Sequence, residues 1–234
     1  MIWSYLTEGP LLWLTATLLA YLVGTALFRA AGGQSWANPV MIAVAILGVL
    51  LWATGTDYAT YFEGAQFVHF MLGPATVALG LPLLDNLHRL RRAALPMIAA
   101  LLAGSATAVA SALAVARALG VEGTVLASLA PKSTTAPVAI GIAERLGGQP
   151  TLTAVMVLLT GIFGAMVVTP LLDLLRVRDW RARGFAVGVA AHGIGTARAF
   201  QVSQTAGAFS GIGMGLNAVL TAIIAPIFLR LLGG

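Results

Sequence analysis

Long apolar segments, each about as long as a bilayer crossing requires, follow one another along almost the whole sequence. Of the 234 residues, 59% are hydrophobic and 9% are charged, whereas roughly 25% are charged in an ordinary soluble domain. A soluble core of this size could not bury so much apolar surface. The sequence therefore excludes a soluble globular domain, a disordered chain and a disulfide-bonded secreted scaffold, and it predicts an all-α polytopic membrane protein.

The number of membrane segments is limited by the chain length. A crossing helix takes about 20 residues, so the chain has room for about seven or eight segments and no separate soluble domain. The predicted segments are 10–28, 39–55, 64–88, 94–118, 123–146, 151–175, 184–203 and 208–232. The first is longer than a signal-peptide core and follows no basic region, so we interpret it as a retained helix. Residues 1–234 are interpreted as one integral membrane domain.

The charged residues lie mostly at segment ends, where they can orient the protein. Arginines at the ends of apolar segments explain the high pI of about 10.4 better than a nucleic-acid footprint does. By the positive-inside rule, four basic positions are predicted to face the cytoplasm: Arg29, the group at 89–92, the loop at 176–183, and Arg230. The chain has no cysteine and no H-E-x-x-H pair, so we predict no metal and no cofactor. The predicted location is the inner (plasma) membrane, with multiple passes.

The positive-inside rule also bears on segment 123–146. Between Arg92 and Arg176 the chain must cross an even number of times, but three segments lie there. A re-entrant segment 123–146 would satisfy the rule. A shift of 57 residues places Pro74 on Pro131 and also aligns the copies of Leu-Leu-x-Gly, which suggests a repeat in which segment three spans fully. Re-entrant and spanning alternatives therefore stay open, although repeated, interrupted helices are typical of transporter binding sites.

The strongest candidate site is the run from Pro131 to Pro137. A lysine deep in hydrocarbon costs about 2.5–3.5 kcal/mol, and each proline removes a backbone donor. Such a broken backbone is tolerated at membrane depth only inside protein or beside a wet cavity. Hydroxyls, an ammonium and a half-helix N-terminus together favour an anion. The candidate binding residues are Pro131, Lys132, Ser133, Thr134, Thr135 and Pro137. The alternative is that Lys132 extends to the membrane interface.

A second candidate run lies in segment seven. Two glycines loosen the helix and allow close approach to the backbone. Arg198 lies about 15 residues past the basic loop and is expected at depth, where its planar fork suits a carboxylate. His192 titrates near neutrality and is a candidate proton relay. The candidate residues are His192, Gly193, Gly195, Thr196 and Arg198. The alternative makes His192 a packing residue and Arg198 an interface anchor.

Weaker candidates are Gly73, Pro74 and Thr76, supported by the 57-residue repeat, and Asn217, which is more simply a packing residue. All eight acidic residues lie near segment ends. A cation carrier normally needs a mid-span carboxylate, so an anionic ligand is favoured. A Ser133/Lys132 hydrolase is disfavoured because adjacent residues point apart on a helix. No enzymatic activity is predicted.

These runs resemble the LrgB/CidB membrane family. The similarity lies in Ser128-Leu-Ala-Pro-Lys-Ser-Thr-Thr-Ala-Pro-Val-Ala-Ile140, in Ala191-His-Gly-Ile-Gly-Thr-Ala-Arg198, in Leu72-Gly-Pro-Ala-Thr-Val-Ala-Leu79 and in Gly213-Met-Gly-Leu-Asn217. It covers nearly the whole chain in the expected order. The family's usual run is Pro-Lys-Ser-Val-Thr-Thr-Pro, from which Thr134 and Ala136 depart mildly.

The resemblance implies two functions. Bacterial members are named antiholin-like or holin-like and are associated with murein hydrolase control and autolysis, acting with an LrgA/CidA-like partner. The plant plastid member is a glycolate/glycerate translocator, and some bacterial relatives are associated with pyruvate. The family is grouped with cation–proton-antiporter and bile-acid-symporter folds, which are inverted-repeat transporters. We therefore expect a monocarboxylate carrier, proton-coupled or facilitative, with a lysis regulator as the alternative; homo-oligomers fit either.

Overall fold

Every element that the structure describes is an α-helix. The computed structural model describes residues 9–78 and 87–233, and the chain divides into two compact units, Met1–Ala78 and Leu79–Gly234. The helices are α1 (Pro10–Ala30), α2 (Pro39–Thr54), α3 (Tyr58–Ala78), α4 (Leu87–Ala118), α5 (Thr124–Leu129), α6 (Ala136–Arg145), α7 (Pro150–Leu174), α8 (Trp180–Val202) and α9 (Gln204–Gly233). Within the described residues, four helices are long and apolar enough to cross a membrane: Pro10–Ala30, Ala93–Ala118, Pro150–Leu174 and Gln204–Leu232.

The first unit packs α1 against both α2 and α3. The α2 helix begins at Pro39 because the Asn38 side chain accepts hydrogen bonds from the Val40 and Met41 amides, at 2.8 and 3.2 Å, as an N-cap does. The ring of Trp13 on α1 contacts that of Tyr61 on α3 edge to face, with centroids 5.9 Å apart. The first unit is thus stabilised by a capped helix start and by an aromatic contact between α1 and α3.

The helix α3 differs from predicted segment three. It begins at Tyr58, earlier than predicted, and it continues through Pro74, which is exposed. Pro131 instead lies between two helices. The 57-residue repeat therefore does not place an interrupted helix at both prolines. Predicted segment three also includes Gly80 and Pro82, and these two lie outside the described residues.

In the second unit, the membrane-length helices α4 and α9 run parallel. Arg117 on α4 donates a hydrogen bond to the Leu232 carbonyl on α9. We call this the Arg117 end. At the other end, Gly184 on α8 contacts the Ala206 backbone near the start of α9. Here Arg183 on α8 pairs with Asp173 near the end of α7, at 2.6 Å, and we call this the Arg183 end. Helix α7 therefore runs opposite to α9.

Helices α5 and α6 form a hairpin, which we call hairpin 1 (residues 124–145). Its return is fixed by the Gln149 amide, which donates to the Ser128 hydroxyl at 2.7 Å. A straight helix would place these residues about 30 Å apart. Both ends of hairpin 1 lie at the Arg117 end, where Ile142 packs with Leu113 and Ala225. The chain thus reaches α7 at the end where α4 finishes, the geometry that a re-entrant segment requires.

Helix α8 also folds back, so the predicted segment 184–203, in which two glycines were expected to loosen the helix, does not run as one continuous helix. His192 has φ 42° and ψ −137°, which reverses the chain. A Cβ on Gly195 would lie 2.8 Å from Val187 Cγ1, whereas a straight helix separates these residues by about 12 Å. We call α8 hairpin 2. Residues 180–191 leave the Arg183 end and residues 193–202 return to it.

Hairpin 1 with α7 and hairpin 2 with α9 are therefore similar pieces in opposite orientation. Hairpin 1 enters from the Arg117 end, and α7 follows it toward the Arg183 end. Hairpin 2 enters from the Arg183 end, and α9 follows it toward the Arg117 end. Inverted pieces of this kind frame a midplane site in many carriers. The 57-residue repeat instead pairs the region of hairpin 1 and α7 with the two segments that precede it, 64–88 and 94–118.

Candidate functional site at the hairpin tips

The two hairpin tips meet at the side chain of Asn217 on α9. Its Nδ2 donates to the Ser133 carbonyl in the break of hairpin 1 and to the Val189 carbonyl near the tip of hairpin 2, each at 3.1 Å. Its Oδ1 accepts from the Ser105 hydroxyl on α4 at 2.5 Å and from Thr221 at 3.3 Å. A primary amide has two donor hydrogens and two acceptor lone pairs. The Asn217 side chain is therefore fully occupied by protein groups.

In this Asn217 cluster (Ser105, Asn217, Thr221 and the carbonyls of Ser133 and Val189), two members lie at the middle of helices long and apolar enough to cross a membrane. Ser105 is at the middle of the candidate span Ala93–Ala118, and Asn217 is at the middle of Gln204–Leu232. Ser105, Asn217 and Thr221 are all almost fully buried. Buried polar groups at this depth must be satisfied within the protein, and these are. The sequence placed Asn217 among the candidate ligands, but its bonds make it a connector between the tips.

The tip of hairpin 1 is a break of six residues, 130–135, in which turn hydrogen bonds replace regular helix, such as that from the Lys132 amide to the Leu129 carbonyl at 3.1 Å. Its polar side chains turn inward: Ser133 is 6% exposed and Thr134 is fully buried. Thr134 bonds back to the Pro131 carbonyl at 3.2 Å. Thr135 is the N-cap position of α6, and Pro137 is in the first turn of that helix and is exposed. The N-terminal dipole of α6 therefore lies at the break, where it favours negative charge.

Lys132 lines a cavity beside this break. Its ammonium donates to the Ser133 hydroxyl at 3.3 Å, and the side chain is half-buried. The cavity, of about 520 Å³, lies between α4, α5 and α7 and is otherwise walled by small and apolar groups such as Ser111 and Met156. A cationic group thus lies beside the tip of hairpin 1.

The tip of hairpin 2 is fixed by His192, which is 3% exposed. Its Nε2 lies 2.9 Å from the Val157 carbonyl on α7, so this nitrogen carries the hydrogen. The ring lies over Gly161, where a Cβ would be 2.5 Å from the ring carbon Cε1. Thr196 donates to the His192 carbonyl at 2.8 Å and pairs with the Ser210 hydroxyl at 2.8 Å. These contacts hold a histidine in a conformation that costs about 1–3 kcal/mol.

Arg198 is not at the tips, contrary to its predicted depth. Because hairpin 2 reverses at His192, Arg198 returns toward the Arg183 end and lines a small cavity with Trp180 and Arg183. It donates to the Gln201 side chain at 3.4 Å. The distance of about 15 residues from the basic loop does not translate into depth, because the chain reverses at His192. The structure therefore separates Arg198 from Lys132, which lies beside the Asn217 cluster.

Of the remaining predicted residues, some lie in hairpin 2 and others lie in the first unit. Gly195 packs on Val187 within hairpin 2, and Gly193 follows its tip. Pro74 lies in the first unit, and the side chains at Gly73 and Thr76 lie outside the described residues. Sequence analysis missed Ser105, Thr221, Ser210 and the Val157 carbonyl as site components. Among the described residues, no three His, Asp or Glu side chains are grouped to hold a metal ion.

A family model and several known proteins match this chain. The model of the LrgB-like family matches residues 17–231. The uncharacterized protein YwbG of Bacillus subtilis (strain 168) is 34% identical over 194 residues, which are 83% of this chain and 86% of that protein. The antiholin-like protein LrgB of Bacillus mycoides (strain KBAB4) is 29% identical over 232 residues, 97% of this chain and 99% of that protein. No solved structure matches. The resemblance found in the motifs is thereby confirmed, and the chain belongs to the LrgB-like family.

Proposed function

We propose that this protein is a membrane carrier for small organic anions, with monocarboxylates such as glycolate, glycerate or pyruvate as the substrate class. The observation that carries the proposal is the meeting of two oppositely entering helical hairpins at a buried polar cluster beside Lys132. Discontinuous helices that meet at mid-membrane are the usual binding-site geometry of secondary transporters.

The charges at this position favour an anion. Lys132 supplies a full positive charge, and α6 directs its N-terminal dipole at the break. Residues 193–202 of hairpin 2 likewise begin at the tip, so a second half-helix N-terminus faces the same region. Lys132 and the break residues Ser133 and Thr135 are the proposed carboxylate and hydroxyl contacts. His192, held on α7 beside them, is the proposed proton-coupling group.

Uptake by proteoliposomes tests the carrier directly. Proteoliposomes with purified protein should accumulate more labelled glycolate or pyruvate than empty liposomes do. Lys132→Met should abolish this uptake, because it removes the charge and keeps a side chain of similar length. Lys132→Arg should retain part of it. Arg198→Met is the matched control, since it removes a cation away from the tips and should leave uptake largely intact. Wild-type uptake by Lys132→Met would contradict the proposed site.

A second candidate function is regulation of lysis together with an LrgA/CidA-like membrane partner. The observation that favours it is the name of the nearly full-length relatives, antiholin-like protein LrgB. If the protein is a regulator of lysis, a strain that lacks this gene should show altered autolysis. Expression of Lys132→Met should then restore normal autolysis as well as the wild type does. The carrier predicts that any restored phenotype depends on Lys132. Lysis control without solute uptake in liposomes would favour the regulator.

A further inference from the structure

Two separate cavities of the second unit lie along opposite halves of α4. The first, of about 640 Å³, lies between α4 and residues 180–191 of hairpin 2, and it extends from Ala93 and Arg181 to Ala108 and Ala190. The second, of about 520 Å³, is the Lys132 cavity, and its wall on α4 extends from Ser111 to Ala116. Their lining residues on α4 do not overlap. The first cavity therefore belongs to the Arg183 end and the second to the Arg117 end.

The Asn217 cluster lies beside the inner part of the first cavity, because Ser105 is one turn of α4 short of the last lining residue, Ala108, and the second cavity begins at Ser111. Gly104 and Val189 line the first cavity near its inner end, and a Cβ on Gly104 would lie 3.2 Å from Val189 Cγ1. The next residue on α4, Ser105, donates to Asn217, which also binds the Val189 carbonyl. On the other side, Asn217 binds the carbonyl of Ser133, whose hydroxyl is paired with Lys132. One amide thus joins the walls of both cavities.

We propose that Asn217 is the latch of a barrier that separates two aqueous vestibules, one open at the Arg183 end and one at the Arg117 end. This inference rests on the proposed carrier function, and it identifies how the site would be shielded from each side. Asn217 is a positioning residue here, because all four of its hydrogen-bonding capacities are used by protein groups. A solute could pass only after its bonds to a hairpin tip had opened.

The absence of cysteine from the sequence allows a direct test by single-cysteine labelling of full-length protein in sided membrane vesicles. Ala100→Cys reports the first cavity and Ala112→Cys the second, on one helix and about 18 Å apart. A membrane-impermeant maleimide should label the first only from the Arg183 end and the second only from the Arg117 end. Leu102→Cys, which lies on α4 and lines neither cavity, is the control and should not react from either side.

The latch itself is tested by adding a second substitution to each reporter. Asn217→Ala should raise labelling from the wrong side by about tenfold, because buried groups of both tips lose their partner. Thr221→Val removes one bond to Oδ1 but keeps both bonds to the tips, so labelling should stay one-sided. If Asn217→Ala does not reach the membrane, Ser105→Ala provides the same measurement with a smaller expected increase.

The outcomes separate this inference from the carrier proposal. Labelling of both reporters from the same side, or one-sided labelling that is unchanged in Asn217→Ala, would overturn the latch whatever the solute flux. Opposite-sided labelling that Asn217→Ala disrupts would support it. If that pattern occurs while proteoliposomes take up neither glycolate nor pyruvate, the barrier stands and the proposed substrate class is wrong.

Discussion

Hairpin 1 changes direction over residues 130–135, whereas hairpin 2 does so at the single residue His192. The first tip is rich in hydroxyls and carries Lys132 beside a cavity. The arm of hairpin 2 that leads to the second tip packs so closely on α9 that Gly184 and Gly188 contact the α9 backbone. On the proposed carrier function, hairpin 1 would contact the solute, and hairpin 2 would form a closely packed wall.

The largest expected difference between the hairpins is their tolerance of an added methyl group. In hairpin 2, a Cβ on Gly188 would collide with the Ser210 carbonyl of α9. Because the obstacle is backbone, which cannot move aside easily, the loss of stability in Gly188→Ala should exceed the roughly 1–3 kcal/mol of ordinary overpacking. In hairpin 1, a Cβ on Gly141 meets nothing within 4 Å. Gly141→Ala should therefore stabilise α6 by about 0.5–1 kcal/mol.

Thermal unfolding of the two variants in detergent measures this contrast. Gly215→Ala on α9 is a further control, since its Cβ also meets nothing within 4 Å. Equal unfolding midpoints for Gly188→Ala and Gly141→Ala would show that hairpin 2 is not the tightly packed element.

The same contrast explains how much the sequence could predict. The break of hairpin 1 could be predicted because Pro131 and Pro137 exclude continuous helix and the polar run needs a protected position. The reversal of hairpin 2 could not, because it depends on a positive φ at His192 and has no proline. The glycines beside it indicated a loosened helix, and the depth of Arg198 was then miscounted.

The Asn217 cluster also could not be predicted from the sequence. Asn217 was identified as a polar residue among glycines, but its partners include two main-chain carbonyls 84 and 28 residues away. Carbonyls leave no signal in the residue types, so only the folded chain shows which ones an amide can reach. The all-helical membrane class and the family, by contrast, followed from composition and from the order of the motifs.

Gly161→Ala should produce the next largest effect, by displacing the His192 ring from α7. The added Cβ would lie 2.5 Å from Cε1 and 2.9 Å from Nε2, so the hydrogen bond to the Val157 carbonyl should break. A buried donor left unpaired costs about 1–3 kcal/mol. The unfolding midpoint should fall as far as in His192→Ala, and the double variant should add little. Full additivity would mean that the two residues act independently.

A smaller effect should separate the side chain of His192 from its backbone. His192→Gly and His192→Ala both lose the bond to Val157, but glycine adopts a positive φ without strain. His192→Gly should therefore be more stable than His192→Ala by about 1 kcal/mol. A glycine exchange in hairpin 1, Thr135→Gly, should show no such gain over Thr135→Ala, since Thr135 has φ −64°. The four unfolding midpoints test this, and an alanine variant of His192 as stable as the glycine variant would contradict a strained tip.

The smallest expected effect lies where the hairpins begin. Hairpin 2 begins at Asp179, whose side chain accepts from the Arg181 amide at 2.8 Å, whereas hairpin 1 begins after Gly123 without a side-chain cap. Hydrogen bonds from the Arg181 side chain lower the pKa of Asp179 to about 2. A lowered pKa contributes stability above the unfolded value of about 4, and this contribution is lost as the pH falls toward 2.

Asp179→Asn keeps a capping side chain and removes the charge, so it should cost less than about 1 kcal/mol, as for an exposed ion pair. The difference in unfolding midpoint between the wild type and Asp179→Asn should be constant from pH 7 to about pH 5 and should shrink toward pH 2. Glu122→Gln, at the entry to hairpin 1, should change the midpoint little throughout this range. A wild-type advantage that persists at pH 2 would mean that the Asp179 charge is not its source, and that the two hairpin entries do not differ in this way.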